Sequence, residues 1–256
     1  VRDGVVDMVH TPGSFYGAAV PEIDAMVAST KNATEARANG GTAMMDAAHQ
    51  KRFNVKYLAW IDSGVGFNIF TINEPKFRSS DGVLDMSGVK MRDNPIYTAF
   101  LKSLEATTSP MPSTEVYGAL EKGVIDAAPW TTIGITELKW DKFLNYMVEP
   151  SFYSTDLGII VNLDRWNGLS AEAKAILEDV AIEWEQKSHN DRKADISKYK
   201  AAYKEGGMGF VSHSESGGAN YLKLAYDSVW ARATKRMTEK GDGDDVAKLR
   251  ALYAPE

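Results

Sequence analysis

Arg92 closes the stretch "GVKMR" and stands directly before "DNPIY". A strand ending there puts the guanidinium at the C-terminal edge of an α/β sheet, where such sheets hold their ligands. Its paired N–H donors fit a carboxylate in a way that a lysine ammonium does not. On position alone, an ion pair with Asp93 or Asp85 is the other reading. Asn94, just beyond, and Ser113, at a later strand-to-helix corner, join the candidate ligand contacts. Trp130 follows Pro129 at the end of another apolar stretch, and reads either as an aromatic wall for a ligand or as core packing. Two further stretches, "HTPGSFYG" with Ser14, Phe15 and Tyr16 and "SFYSTDLG" with Phe152 and Tyr153, bring aromatic and hydroxyl groups to comparable corners. Together these residues describe chemistry of recognition: a cation for an acid, flanked by aromatic faces.

Bond-making chemistry has fewer supports. The chain contains no G-x-S-x-G, no G-x-x-x-x-G-K-[ST], no H-E-x-x-H, and no G-x-G-x-x-G after a strand. Of four histidines, His49 and His189 sit among polar residues on helical stretches and read as solvated surface groups, whereas His10 at a strand end could line a site. An α/β enzyme acting on a small acid would have to draw its general acid or base from Asp7, Asp126, Glu115 and His10. The two aspartates read more simply as strand residues satisfied by backbone N–H groups.

Composition narrows the classes further. The 256 residues carry a net charge of −6, with basic residues scattered, which argues against a nucleic-acid footprint. There is no cysteine, so thiol nucleophiles, thiolate metal sites and disulfides are excluded. No apolar run approaches the roughly 20 residues needed to span a bilayer.

The elements that must position these residues are marked by glycine, proline and period. "DGVVD" at the start returns as "KGVID" at 122–126. In each, Gly4 or Gly123 suits the left-handed position past a helix, and the apolar pair enters a buried strand that carries Asp7 or Asp126. A helix or pair of short helices broken near Pro21 is expected over 14–28, and one longer helix over 32–52 starting near Asn32. Strands follow at 55–61 and 67–72, then a strand through Arg92, a helix from Pro95 to Leu104, a strand near 107–110 and a helix over 113–122 capped by Ser113 or Thr114. This alternation predicts parallel strands in α/β units. From Ser170 to about Glu205 there is neither proline nor glycine, so one very long helix is expected, about 50 Å in length and stopped by Gly206-Gly207. A strand over 208–213 and helices over 216–240 and 244–252 complete the chain.

Over "GVKMRDNPIYTAFLKSLEATTSPMPSTEVYGALEKGVIDAAPW" the chain resembles the solute-binding proteins of TRAP transporters, the DctP-type family. The likeness continues through "VEPSFYSTDLGIIVNLDRWNGLSAEAKAIL" and covers essentially the whole chain. The resemblance implies that Arg92 holds the ligand's carboxylate and that Trp130 stands where some members place asparagine and others, with small oxo or hydroxy acids, tryptophan. It makes Asn68 a position that often bears a polar ligand contact. Pro129 replaces a glutamate that several members use to bind a metal, and Glu105 and Ala127 replace usual glycines. A further β-α-β segment precedes the opening phrase in the family, so the chain reads as N-terminally truncated, with the signal peptide further upstream.

The expectation is therefore an α/β, periplasmic-binding-protein-like fold: two α/β lobes, a central ligand cleft and a long helix spanning both. Lobe 1 would comprise 1–68 and about 162–212, lobe 2 would comprise 69–161, and 213–256 would form C-terminal helices packed on the lobes. The function implied is capture of a small organic acid in the periplasm and its delivery to TRAP membrane permease subunits. The site would be Arg92, Trp130, Asn68, Ser14, Phe15, Tyr16, Asn94, Ser113, Phe152 and Tyr153, with no metal and no cofactor. The alternatives are a binding protein of an ATP-driven uptake system and, behind it, the α/β enzyme.

Overall fold

In the computed structural model, which describes residues 1–254, the chain separates into two units. The first comprises Val1–Gly64, Ser154–Lys193 and the chain from Trp230 onward; the second comprises Val65–Tyr153 and Ala194–Val229. The C-terminal segment set apart by the sequence reading is thus divided between the units at Val229. The long helix is divided too, at Lys193.

Strand β1 (Met8–Pro12) runs into a 3-10 turn (Gly13–Phe15), then a second at Pro21–Ile23 and three helices, α1 (Asp24–Val27), α2 (Ala33–Ala38) and α3 (Gly41–Phe53). Next come β2 (Val55–Trp60), β3 (Gly66–Thr71) and the short strands β4 (Lys76–Phe77) and β5 (Leu84–Asp85). The run β6 (Lys90–Asp93), α4 (Thr98–Ser103), β7 (Thr107–Pro110), α5 (Ser113–Glu121), β8 (Ala127–Thr131) carries the expected strand and helix alternation. Strands β9 (Tyr146–Glu149), β10 (Phe152–Ser154) and β11 (Leu157–Asn162) lead to α6 (Leu163–Gly168) and the 35-residue α7 (Ala171–Glu205). β12 (Gly209–Ser212), α8 (Glu215–Glu239) and α9 (Asp245–Tyr253) follow.

In the second unit the sheet order is β12-β9-β3-β8-β6-β7, with β10 paired to β3. β6 is parallel to both β7 and β8, because α4 and α5 are the crossovers between successive strands. β3 alone reverses, running antiparallel to β8 and β9. One face packs on a core of Phe70, Val116, Leu120, Ile125, Trp140, Leu144 and Met147. In the first unit β11 lies antiparallel between β1 and β2. There the buried Glu185 of α7 accepts the Arg37 fork at 2.6 and 2.8 Å and the Trp60 N–H at 2.9 Å, which ties α7 and α2 to β2.

Helix ends follow the glycine logic. Past α5, Gly123 takes φ 65°, its N–H donates to Leu120 O, and the Val124 N–H reaches back to Ala119 O. The same pair of bonds closes α7 around Gly207, φ 88°. Gly4, φ 74°, is left-handed as well, in a turn rather than after a helix. Ser170 caps α7 by accepting the Ala173 N–H, and Asn32 and Glu35 form a reciprocal capping box on α2.

Several expectations change. The helix over 32–52 is two, because Gly40 turns the backbone to φ 92° between them. Asp7 and Asp126 each precede their strand by one residue, where Asp126 accepts the Lys90 N–H. α5 starts after Pro112 with no side-chain cap, and α4 begins only at Thr98. No helix among the described residues is long and apolar enough to cross a membrane.

Candidate ligand-binding site

Arg92 is the third residue of β6, and its side chain is 3% exposed. Nε donates to Met111 O at 3.2 Å and Nη1 donates to the Tyr97 hydroxyl. Among the described residues it has no carboxylate partner, and Nη2 donates to none of them. Asp93, the neighbour that could have paired with it, spends its Oδ1 on the Asn94 N–H and the Thr98 hydroxyl. A buried guanidinium without a counter-ion is costly unless an anion arrives to pair with it.

The surroundings suit such an anion. The guanidinium lies 5.6 Å from the Trp130 ring centroid and 5.8 Å from that of Tyr97, within the range of cation–π attraction. Trp130 packs edge to face on Trp140 at 5.0 Å, and its Nε1 donates to no described residue. The turn that follows is shaped to it: a Cβ at Gly134, φ 102°, would meet that Nε1 at 3.2 Å. Asn94 closes the turn after β6 by accepting the Ile96 N–H through Oδ1, leaving Nδ2 without a described partner. Ser113, at the first position of α5, is half-buried, with its hydroxyl unbonded among the described residues. Four residues with unspent donors, Arg92, Asn94, Ser113 and Trp130, therefore sit along the β6, β7 and β8 ends.

Three other candidates hold structure instead. Asn68 is fully buried beside Trp130 in the β3–β8 register, donating to Val148 O at 2.8 Å and accepting the Thr132 hydroxyl at 2.6 Å. Both ends of its amide are engaged. Phe152 has no exposed surface and packs among Phe67, Phe100 and Tyr221. Tyr153, also buried, shares a 2.8 Å hydrogen bond with the Ser228 hydroxyl.

In the first unit Ser14, Phe15 and Tyr16 occupy the corner after β1. The Ser14 N–H donates to the buried Asp156 carboxylate at 2.5 Å, and the Gly13 N–H to the Asp156 carbonyl. Burial pushes the Asp156 carboxyl up to about 6, against the lowering pull of the Ser14 N–H, its own main-chain N–H and the Ser14 hydroxyl. Phe15 is 73% exposed. Tyr16 stacks on Phe53 and hydrogen-bonds His49 Nε2 at 3.1 Å. His49 is fully buried rather than solvated, because α3 turns it inward onto Tyr16 and Tyr57. Its Nδ1 faces Met45 O at 2.7 Å, so the proton sits there, and burial lowers the imidazole to about 4. His189 is half-buried against Ser63 O, and His10 is exposed.

Sequence reasoning overlooked Tyr97 and Asp156. Tyr97 lies within the same short stretch as Arg92, and a buried tyrosine must find a partner for its hydroxyl. Asp156 had no marker, since its burial comes from β11 pairing with β1.

Compared with known proteins, the chain matches the bacterial extracellular solute-binding protein family 7, DctP, over residues 1–235. It is 26% identical over 156 residues to a monocarboxylate 2-oxoacid-binding periplasmic protein of Nostoc sp., covering 60% of this chain and 43% of that one. It is 27% identical over 199 residues to the C4-dicarboxylate-binding periplasmic protein of Rhodobacter capsulatus, covering 77% and 57%. The chain spans about half the length of the curated relatives it matches. Among solved structures, a TRAP periplasmic solute-binding protein from Desulfovibrio desulfuricans with bound sn-glycerol-3-phosphate superposes with a TM-score of 0.80 at 19% identity, over 97% of this chain and 80% of that one. A TRAP periplasmic solute-binding protein from Rhodoferax ferrireducens with bound malonate gives 0.77 at 21%, over 98% and 78%. Likeness at that identity speaks for the fold.

Proposed function

The chain belongs to the DctP family of bacterial extracellular solute-binding proteins, and from that premise we propose that it binds a small organic acid through Arg92 and delivers it to the membrane subunits of a TRAP permease. The observation that carries the reading is the buried Arg92 guanidinium, which has unspent N–H donors and no carboxylate partner among the described residues. Binding makes and breaks no bond; the protein works by exchanging the hydration of a carboxylate for fixed donors. The work is done in the periplasm, where the family's ligands are captured. The relatives named for 2-oxoacids and C4-dicarboxylates support an acid as the ligand. The Trp130 face and its Nε1–H, unbonded among the described residues, favour a partly apolar monocarboxylate with an acceptor near the carboxyl group, such as a 2-oxoacid.

Thermal unfolding in the presence of pyruvate, 4-methyl-2-oxopentanoate, succinate and glucuronate tests this. A bound acid raises the melting temperature by an amount that grows with the logarithm of its concentration over its Kd. Removing one partner of a buried charge pair typically costs about 2 to 5 kcal/mol, roughly 30- to several-thousand-fold in affinity. Arg92→Ala should therefore abolish the stabilisation, and a variant that binds as wild type does would refute the clamp. Turnover of a stabilising acid would point instead to an enzyme.

A further inference from the structure

A guanidinium offers a carboxylate two bidentate edges, Nε with Nη2 along its side and Nη1 with Nη2 at its end. In Arg92 the side edge is already engaged, because Nε donates to Met111 O at 3.2 Å. The end is constrained by Tyr97, whose hydroxyl accepts from Nη1 and donates to Pro129 O at 3.4 Å. That relay ties the arginine of β6 to the backbone of β8 one residue before Trp130. Three of the five N–H donors, one on Nη1 and two on Nη2, remain without a partner among the described residues. Tyr97 is 1% exposed and its ring is held against Phe67 at 6.0 Å and Phe152 at 6.2 Å, so the hydroxyl has a fixed address. Burial raises its phenol well above the ordinary range, which keeps the hydroxyl protonated and able to donate and accept at once.

We propose that Tyr97 is a positioning residue that turns the Arg92 guanidinium so that its Nη1–Nη2 end, and not its side edge, receives the ligand carboxylate. The inference rests on the reading of Arg92 as the carboxylate clamp. It also assigns the carboxylate's approach, end-on and beside the Trp130 face.

Tyr97→Phe deletes only the relay, since the ring that packs on Phe67 and Phe152 remains. In the full chain, calorimetric titration with 4-methyl-2-oxopentanoate should show about tenfold weaker binding, the usual worth of a hydrogen bond to a charged group. The ligand-free melting temperature should fall by a few degrees, because the Arg92 Nη1–H and the Pro129 carbonyl each lose a buried partner. Nitrogen-15 spectra of the wild-type arginine side chains should show the Arg92 Nη resonances shifting on addition of the acid while Nε holds still. A Tyr97→Phe loss smaller than about threefold, or an Nε shift as large as that of Nη, overturns the proposal. If Arg92→Ala binds as wild type does, or no acid binds, the clamp reading has failed, and ligand-free spectra decide on Tyr97 alone. Slow rotation of the Arg92 guanidinium in wild type and fast rotation in Tyr97→Phe uphold its positioning role. Equally fast rotation in both removes it.

Discussion

The guanidinium of Arg92 lies 5.6 Å from the Trp130 ring centroid, and the two residues reach that contact from parallel strands, β6 and β8. The contact holds a buried cation in place before any acid arrives, because the indole face attracts it without neutralising it. Trp130→Leu keeps bulk on the core side, toward Trp140, and removes both the cation–π contact and the Nε1–H. Affinity for a stabilising acid should fall about 5- to 30-fold, corresponding to about 1 to 2 kcal/mol. Calorimetric titration measures it; unchanged affinity would show that Trp130 is packing only.

Glu105 is a second local test. It takes φ 65° two residues past the end of α4, with the bond pattern that Gly123 uses after α5: its N–H reaches Lys102 O and the Ala106 N–H reaches Leu101 O. A side chain at this left-handed position costs roughly 1 kcal/mol relative to glycine. Glu105→Gly should stabilise the protein by about that amount in urea unfolding, with binding unaltered. Destabilisation would mean that the Glu105 side chain, 3.9 Å from Arg78, outweighs the backbone strain.

What was legible in the sequence follows from how local each cause is. The helix ends at Gly123 and Gly207, the cap at Ser170 and the strands around Arg92 are set by residues within one turn of themselves, and they stand where the pattern puts them. The split at Gly40 was read as continuous helix because the apolar period runs straight across it. Asn68, Phe152 and His49 share another kind of miss. Asn68 and Phe152 read as ligand contacts and His49 as a solvated surface group, yet each is consumed by a partner distant in sequence or hidden on a helix face: Val148 and Thr132 for Asn68, Phe100 and Tyr221 for Phe152, Tyr16 for His49. Arg92 remains the opposite case, buried with donors to spare.

The Arg37–Glu185 pair makes a stability prediction in the first unit. Glu185 is 1% exposed and serves three donors, two from Arg37 and one from the Trp60 N–H. Glu185→Ala leaves the half-buried Arg37 guanidinium without a counter-ion, bonded only to the Leu58 carbonyl at 2.9 Å, and the Trp60 N–H without an acceptor, a loss of about 3 to 5 kcal/mol. Glu185→Gln keeps an acceptor for Trp60 and should lose about half as much. Equal losses from the two variants would show that the charge, not the N–H acceptor, dominates.

Asp156 predicts a pH dependence whose sign is unusual for an aspartate. Its folded carboxyl is raised by burial from 3.8 to about 6, so between those values the folded chain holds a proton that the unfolded chain has released. Stability from this group is therefore full below about pH 4, falls as pH rises to about 6, and is constant above that. The ceiling on the loss is about 3 kcal/mol. Asp156→Asn keeps an oxygen for the Ser14 N–H and has no proton to lose. Its stability relative to wild type should therefore climb from pH 4 to pH 6 and then level off. Urea unfolding of both proteins across pH 4 to 8 measures the difference, and a difference that does not change with pH would mean that Asp156 titrates in the fold as it does in the unfolded chain.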